Sequence, residues 1–281
     1  MNTLSPQVFA ILSGLVEERT GLHYGPEDMP VFADKVSGRL VEAGFDNALD
    51  YYYLLRYDDG SRAELDALID ALVVGETYFF RELEPLRKAV EHVISPAVAR
   101  RGRARVWSAA CATGEEPVTL AMLVQHAGLL DRTEIVATDI SLRALARART
   151  GVYGARSLRM LTPDAEPLVT QLAARWIVRD AAASGAVAHV ARPIVDAIDY
   201  RRVNLVEPQE IAALGRFDLV LCRNVLIYFG DDTVQHVTTS LGSALAPGGR
   251  LLIGASESLL RFGTLLHCEE RGGAFFYRKD E

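Results

Sequence analysis

Cysteine is scarce in this chain. Cys111, Cys222 and Cys268 are three of 281 residues and stand far apart. That odd number excludes a complete disulfide framework, and the spacing excludes a CxxC metal knuckle. Long apolar runs are missing too. The longest stretch without Asp, Glu, Lys or Arg, residues 233–249, is polar and falls short of the roughly 18 residues a membrane span needs. No basic region precedes residues 12–16, and Glu17 and Glu18 follow at once. A secretory signal is therefore not expected, and the expected location is the cytoplasm. Positive charge is not in excess either. Thirty Lys+Arg against 37 Asp+Glu leave a net charge of −7, a poor electrostatic match for a general nucleic-acid binder. What the chain does have is core-forming material. Hydrophobic residues make up 49% of it, which rules out a disordered scaffold. The length predicts about two domains.

The charge is unevenly spread. Residues 1–75 carry 5 Lys+Arg and 13 Asp+Glu, a net of −8, whereas residues 76–281 carry 25 and 24, a net of +1. This shift places a domain boundary near Val74 and Gly75. In the first part, Phe9, Leu12, Leu15 and Val16 recur at helical spacing, as do Val36, Leu40 and Val41, and then Leu65, Leu68, Ile69 and Leu72. Gly21, Gly25-Pro26 and Gly44 punctuate them, so a bundle of about four helices is expected. Beyond residue 100, short apolar runs alternate with helical stretches: 104–109 then 118–127, 134–138 then 142–148, 217–222 then 233–245, and 250–255. Such alternation predicts an α/β domain, a doubly wound Rossmann-like parallel sheet with helices on both faces. Residues 266–270 and 274–278 flank Gly272-Gly273 and read as a closing antiparallel hairpin. Residues 175–201 break the rhythm. Segments 175–179, 187–190 and 194–200, with a small-residue loop over 181–186, predict a small antiparallel β-subdomain inserted into the larger domain.

Four segments carry residues suited to chemistry. Arg105 to Val118 runs from a strand through small residues, turns at Gly114, and enters a helix with Pro117 in its first turn. Small side chains allow a ligand close to the backbone, and the helix start offers free N–H groups. Only one of the three glycines of the dinucleotide fingerprint is present, and Glu115 and Glu116 would repel a pyrophosphate. A ligand bearing positive charge or hydroxyls suits them; complementing the helix dipole is the alternative. Asp139 closes the second strand, 25 residues after Gly114, where an acidic residue accepts hydrogen bonds from both ribose hydroxyls of an adenosine group. Its alternative role is to cap the following helix. A third strand delivers Arg223 and Asn224, with Tyr228 four residues on from Asn224, across the switch point where ligands bind. Tyr228 and Phe229 could equally be core aromatics. The fourth segment, Glu76 to Glu82, places aromatics and Arg81 at the domain junction, where interface packing is the plainer use.

Taken in order, these segments resemble one family over nearly the whole chain. A helical N-domain is followed by Thr-Tyr-Phe-Phe-Arg-Glu (77–82), Ser-Ala-Ala-Cys-Ala-Thr-Gly-Glu-Glu-Pro (108–117) and Thr-Asp-Ile-Ser (138–141). Then come Asn204-Leu205, Cys-Arg-Asn-Val-Leu-Ile-Tyr-Phe (222–229) and Gly-Ala-Ser-Glu-Ser (254–258). The series resembles the CheR-type chemotaxis-receptor glutamate methyltransferases, enzymes that use S-adenosylmethionine and release S-adenosylhomocysteine. The resemblance implies cofactor contacts from Thr77, Arg81, Glu115, Asp139, Asn204, Leu205, Asn224 and Val225. It places Arg81 and Tyr228 at the active site and implies no metal. The implied partner is the cytoplasmic region of a methyl-accepting chemoreceptor, met by a monomer, with no nucleic acid and no membrane insertion. The β-subdomain resembles the part that, in some members, docks a receptor's C-terminal pentapeptide. Two positions depart from the pattern. Gly75 stands where the family often has Asn. The acidic N-domain has only Lys35 and Arg39 on the helix that is often basic, and these become its candidate substrate-binding residues.

The chemistry agrees with elementary expectation. A glutamate with a pKa of about 4.3 is already a nucleophile at neutral pH, so no general base is required. The site needs to align carboxylate, methyl and sulfonium with reacting atoms roughly 3–3.5 Å apart. Arg81 has the planar fork for a carboxylate, and Tyr228 has a hydroxyl for the substrate and a ring face for a sulfonium. A nicotinamide oxidoreductase on the same sheet is disfavoured by the missing glycines and the two glutamates. A signalling adaptor that binds cofactor without turnover is the non-enzymatic alternative.

Overall fold

Ser5 opens the first helix, α1 (Pro6–Thr20), by accepting the Val8 N–H on its hydroxyl, and Pro6 fills the first turn where no N–H is needed. The computed structural model describes residues 4–58, 60–180 and 187–280. Among these, three more helices precede the sheet: α2 (Met29–Ala43), α3 (Ala48–Tyr57) and α4 (Arg62–Leu72). Phe9, Leu12, Leu15 and Val16 of α1 pack with Phe32, Val36 and Leu40 of α2, with Tyr51 and Leu55 of α3, and with Leu68 and Leu72 of α4. Val41 departs from the expected stripe and is 80% exposed. It lies one residue beyond Leu40, about 100° further round the helix and off its buried face.

A helical run over 83–101 leads into the sheet. It comprises α5 (Leu83–Ala89), a π turn (Val90–Ile94) and α6 (Ser95–Arg101). The remaining elements are β1 (Ala104–Ala109), α7 (Glu115–His126), β2 (Thr133–Asp139), α8 (Leu142–Thr150), β3 (Val152–Tyr153), α9 (Pro167–Trp176), β4 (Ile177–Asp180), β5 (Val187–Val190), α10 (Arg192–Val195), β6 (Ile198–Arg202), α11 (Pro208–Ala213), β7 (Phe217–Cys222), α12 (Asp231–Ala244), β8 (Leu245–Ile253), β9 (His267–Arg271) and β10 (Ala274–Arg278). Among the described residues, the main sheet has the order β6-β2-β1-β7-β8-β10-β9. Its first five strands pair in parallel, and β10 pairs antiparallel with both β8 and β9. Alternate residues go to opposite faces, as the pleat requires. Val106, Ile135, Ala137, Leu219 and Leu221 join one core, and Trp107, Val136, Val220 and Cys222 join the other. Burial on both faces is why these strands read as apolar runs beyond the charged residue near the start of each, Arg105, Glu134 and Asp218. No helix among the described residues is long and apolar enough to cross a membrane.

The inserted subdomain differs from expectation. Its sheet has the order β3-β5-β4, with all pairs antiparallel. Arg175 and Trp176 end α9 instead of starting a strand. Residues 194–200 do not supply a third strand: they split between α10, with Pro193 in its first turn, and β6, which pairs in parallel with β2 at Val136 and Asp199. The third strand is β3, two residues long and too short to leave an alternation. The expected loop over 181–186 lies outside the described residues.

Candidate active site

β1 lies between β2 and β7. From it the chain builds outward to β2 and β6 on one side, then returns to β7 and β8 on the other. Loops leaving the carboxyl ends of β1 and β7 therefore diverge and leave a crevice, where ligands bind in doubly wound sheets. A cleft enclosing about 1050 Å³, open mouth included, lies there, roofed by residues 73–78 and by Thr20 and Leu22 at the end of α1.

Asp139, the last residue of β2, is 8% exposed. Its Oδ2 accepts the Ala112 N–H at 2.8 Å, and its Oδ1 accepts the Ser141 N–H at 2.9 Å, so one carboxylate ties the β1 and β2 loops together. Burial pushes its pKa up, and the backbone hydrogen bonds oppose the rise. Capping of α8 falls to Ser141, whose hydroxyl accepts the Ala144 N–H. Each Asp139 oxygen keeps acceptor capacity for a further donor.

Gly114 allows the turn into α7. Its φ is 92°, and a Cβ there would lie 2.9 Å from that of Ala148 and 3.0 Å from the Tyr200 hydroxyl. The two glutamates that follow part company. Glu115, the expected cofactor contact, is 1% exposed and does not line the cleft; it accepts the Thr113 and Ser157 hydroxyls, each at 2.7 Å. Glu116 lies about 100° further round the helix and does line the cleft. It accepts from the Ser108 hydroxyl at 2.8 Å and from Arg223 Nη1 at 2.9 Å.

Arg223 is the hub of a buried ion network. Its side chain is 1% exposed and bridges Glu116 and Glu82, the latter at 3.0 Å, while also donating to the carbonyls of Arg81 and Glu82. Burial works to raise the Glu82 pKa, but the charge and hydrogen bonds of Arg223 outweigh it and hold the carboxyl below its usual range. Strained backbone lies around the cleft. Among the described residues, the non-glycine positions with positive φ are Phe80 (63°), Glu82 (45°), Ala110 (54°), Ala112 (48°) and Asn224 (59°), all on or next to the cleft wall. Such conformations persist where surrounding contacts over-determine them, typically at functional sites.

Arg81 and Tyr228 reach the cleft from different elements. Arg81 Nη1 donates to the Glu76 carbonyl at 2.9 Å, and its guanidinium lies 5.6 Å from the Tyr78 ring centre. Tyr228 ends a 3₁₀ turn after β7, and its carbonyl accepts the His23 N–H. Burial raises the Tyr228 pKa, and the nearby Arg81 charge pulls the other way. Asn204 is anchored by donating to the Arg19 carbonyl at 2.7 Å.

Of the residues singled out in the sequence, the cleft brings together Thr77, Arg81, Asp139, Asn204, Leu205, Asn224, Val225 and Tyr228. Lys35 and Arg39 lie elsewhere. Lys35 donates to the Leu72 carbonyl at 2.8 Å, and Arg39 grips both oxygens of Glu64 at 2.6 Å and also Glu42. Glu116, expected with Glu115 to face a ligand, does line the cleft, whereas Glu82 and Glu257 carry no expectation of their own. Glu82 and Glu257 stand inside the 77–82 and 254–258 motifs, but only three-dimensional contacts show what they hold.

This donor set fits S-adenosylmethionine. The buried Asp139 carboxylate offers acceptors for ribose hydroxyls, Leu205 and Ile140 supply apolar wall, and the Arg81 guanidinium matches a carboxylate. A doubly wound sheet closed by an antiparallel hairpin, with an acid at the end of β2 and no dinucleotide glycine fingerprint, defines the class: an S-adenosylmethionine-dependent methyltransferase. The model of the CheR methyltransferase, SAM binding domain family matches residues 75–271, and the chain belongs to that family. It is similar to chemotaxis protein methyltransferase 2 of Vibrio cholerae serotype O1, with 35% identity covering 78% of this chain and 74% of that protein. It is also similar to the chemotaxis protein methyltransferases of Vibrio anguillarum (33% identity; 92% and 91% covered) and Salmonella typhimurium (32%; 91% and 85%).

Proposed function

We propose that the protein transfers the methyl group of S-adenosylmethionine to glutamate side chains in the cytoplasmic region of a chemoreceptor, forming γ-methyl esters. One observation carries the reading: Arg81 and Tyr228 face the cleft that holds Asp139, and no histidine is among its lining residues. Of the glutamates lining it, Glu116 is bound to Arg223 and Glu76 pairs with Arg159 at 2.7 Å. With Asp139 given to the ribose and both lining glutamates paired with arginines, the site suits a substrate that is ionised on arrival, as glutamate is. The relatives are named chemotaxis protein methyltransferases, which supports a chemotaxis protein as the substrate, and we take that protein to be the receptor.

Bound S-adenosylmethionine supplies a methyl group activated by its sulfonium. The chain's residues hold and orient. Asp139 takes the ribose hydroxyls, and Asn204, Leu205, Asn224 and Val225 enclose the nucleoside. Arg81 holds a carboxylate in its planar fork. The Tyr228 hydroxyl steers the attacking carboxylate with a single hydrogen bond, which leaves its nucleophilicity largely intact. Holding the reacting atoms in line is the main source of acceleration, because no proton need be moved.

We take the protein to act as a cytoplasmic monomer. The small sheet offers β4 at its edge, where an extended receptor pentapeptide would add as a further strand. Docking of the acidic methylation region through Lys35 and Arg39 draws no support from their side chains, which are engaged with Leu72, Glu64 and Glu42. The test is transfer of labelled methyl to a receptor fragment, followed by mild alkali. Label released as methanol is expected. Alkali-stable label refutes ester formation, and cofactor binding without transfer to any fragment favours the adaptor.

A further inference from the structure

The 254–258 motif has no part in the chemistry above, yet its glutamate stands directly behind the cleft wall. Glu257 Oε2 accepts the backbone N–H groups of Asn224 (2.8 Å) and Gly254 (2.7 Å), and Oε1 accepts those of Val225 (3.0 Å) and Leu226 (2.8 Å). One carboxylate thus gathers four main-chain donors from the ends of neighbouring strands, β7 and β8. Three of them belong to the turn that presents Asn224, Val225 and Tyr228 to the cleft. That turn is strained, with Asn224 at φ 59°. Gly254 makes the approach possible: a Cβ there would fall 2.6 Å from Asn224 Nδ2 and 2.8 Å from Glu257 Oε2. The Asn224 side chain is directed from the other side by Glu82 Oε1, at 3.3 Å.

Converging N–H dipoles repel one another, and an anion at their focus turns that repulsion into attraction. We propose that Glu257 is a positioning residue for the cofactor site: its carboxylate holds residues 224–226 in the conformation that sets Asn224 and Val225 against S-adenosylmethionine. It acts through the turn, from behind the wall. The inference rests on the cofactor reading given above.

Glu257→Gln and Glu257→Asp test it, with titration calorimetry against S-adenosylhomocysteine and melting curves on wild type and both variants. Gln keeps the shape but replaces one oxygen with a donor, so two of the four N–H groups face another N–H whichever way the amide turns. Asp keeps the charge with shorter reach. Glu257→Gln is expected to raise the Kd at least about tenfold, and Glu257→Asp to recover part of that loss. The KM for S-adenosylmethionine should rise in step. A residue that merely packs would lower the melting temperature and leave the Kd of the folded protein unchanged. A Glu257→Gln affinity within about twofold of wild type overturns the proposal, as does Asp binding no better than Gln, since shape would then matter and charge would not. If the Gln variant does not fold, Asp decides alone: a Kd raised at least about threefold supports the proposal and an unchanged one refutes it. Wild type that fails to bind S-adenosylhomocysteine would refute the cofactor reading instead.

Discussion

Replacing Asp139 by Ala should separate cofactor binding from folding. The carboxylate accepts the N–H groups of Ala112 and Ser141, and each oxygen has capacity left for one ribose hydroxyl. A hydrogen bond to a charged group contributes about 1.5–3 kcal/mol, and two sharing one carboxylate do not add fully. Loss of both should therefore weaken S-adenosylhomocysteine by about 1.5–3 kcal/mol, or about 10- to 150-fold in Kd. Folding suffers less than this mutation's loss of partners suggests. Two N–H groups lose their acceptor, at about 1–3 kcal/mol each, but removing a carboxylate buried to 8% exposure relieves the desolvation that raises its pKa. The pH dependence gives an independent check. Ribose donors favour the ionised form, so affinity is full above the raised pKa of Asp139 and declines as pH falls through it. The Ala variant should lose that acidic limb. Calorimetry at several pH values, with a melting curve at each, measures all of this. A folded Asp139→Ala protein that binds as wild type does, with the same pH profile, would refute the ribose assignment.

Tyr228→Phe should lower kcat, by at most about 10²–10³-fold, while S-adenosylhomocysteine affinity stays within about twofold; turnover that survives intact removes Tyr228 from the mechanism. Arg223→Met leaves Glu82 and Glu116 facing each other without their shared cation. A loss of about 3–5 kcal/mol in denaturant unfolding is expected, and a loss under about 1 kcal/mol would mean that the network does not hold the turn. Arg39→Ala should cost on the order of 1.5–3 kcal/mol of stability and leave S-adenosylhomocysteine affinity unchanged. Burial works to raise the Glu64 pKa, but hydrogen bonds from Arg39 and Tyr51 outweigh it and depress the value. That stabilisation is therefore present above the unfolded-state pKa and lost as pH falls through the folded one. Acid unfolding that is unaltered in the variant would contradict it.

Local pattern was enough to read much of this molecule. The runs at 104–109 and 217–222 coincide with β1 and β7, because strands buried on both faces leave short, largely apolar stretches between helical ones. The small-residue turn at Gly114 and the acid at Asp139 were legible for a related reason: a backbone approached closely by ligand or neighbour restricts residue type at the position itself. The order of motifs along the chain pointed to the family, which the match over residues 75–271 established.

Where the outcome depended on partners distant in sequence, the chain alone was silent or misleading. Residues 194–200 read as a subdomain strand, yet their first two residues end α10 and residues 198–202 extend the main sheet by pairing in parallel with β2. Glu115 and Glu116 are equivalent as neighbours in sequence; a rotation of about 100° sends one beneath the loop and the other to Arg223, 107 residues away. Lys35 and Arg39 look like free cations until the carbonyl of Leu72 and the carboxylate of Glu64 are seen to engage them. Glu257 is one acid among 37 until four N–H groups converge on it. Residue type and spacing determined the central strands and helices and which ligand class the crest of the sheet accepts, since both follow from short-range sterics and burial. Which charges remain available and which are spent on the scaffold was decided by the tertiary structure, because a hydrogen bond belongs to two partners and sequence order records only one at a time.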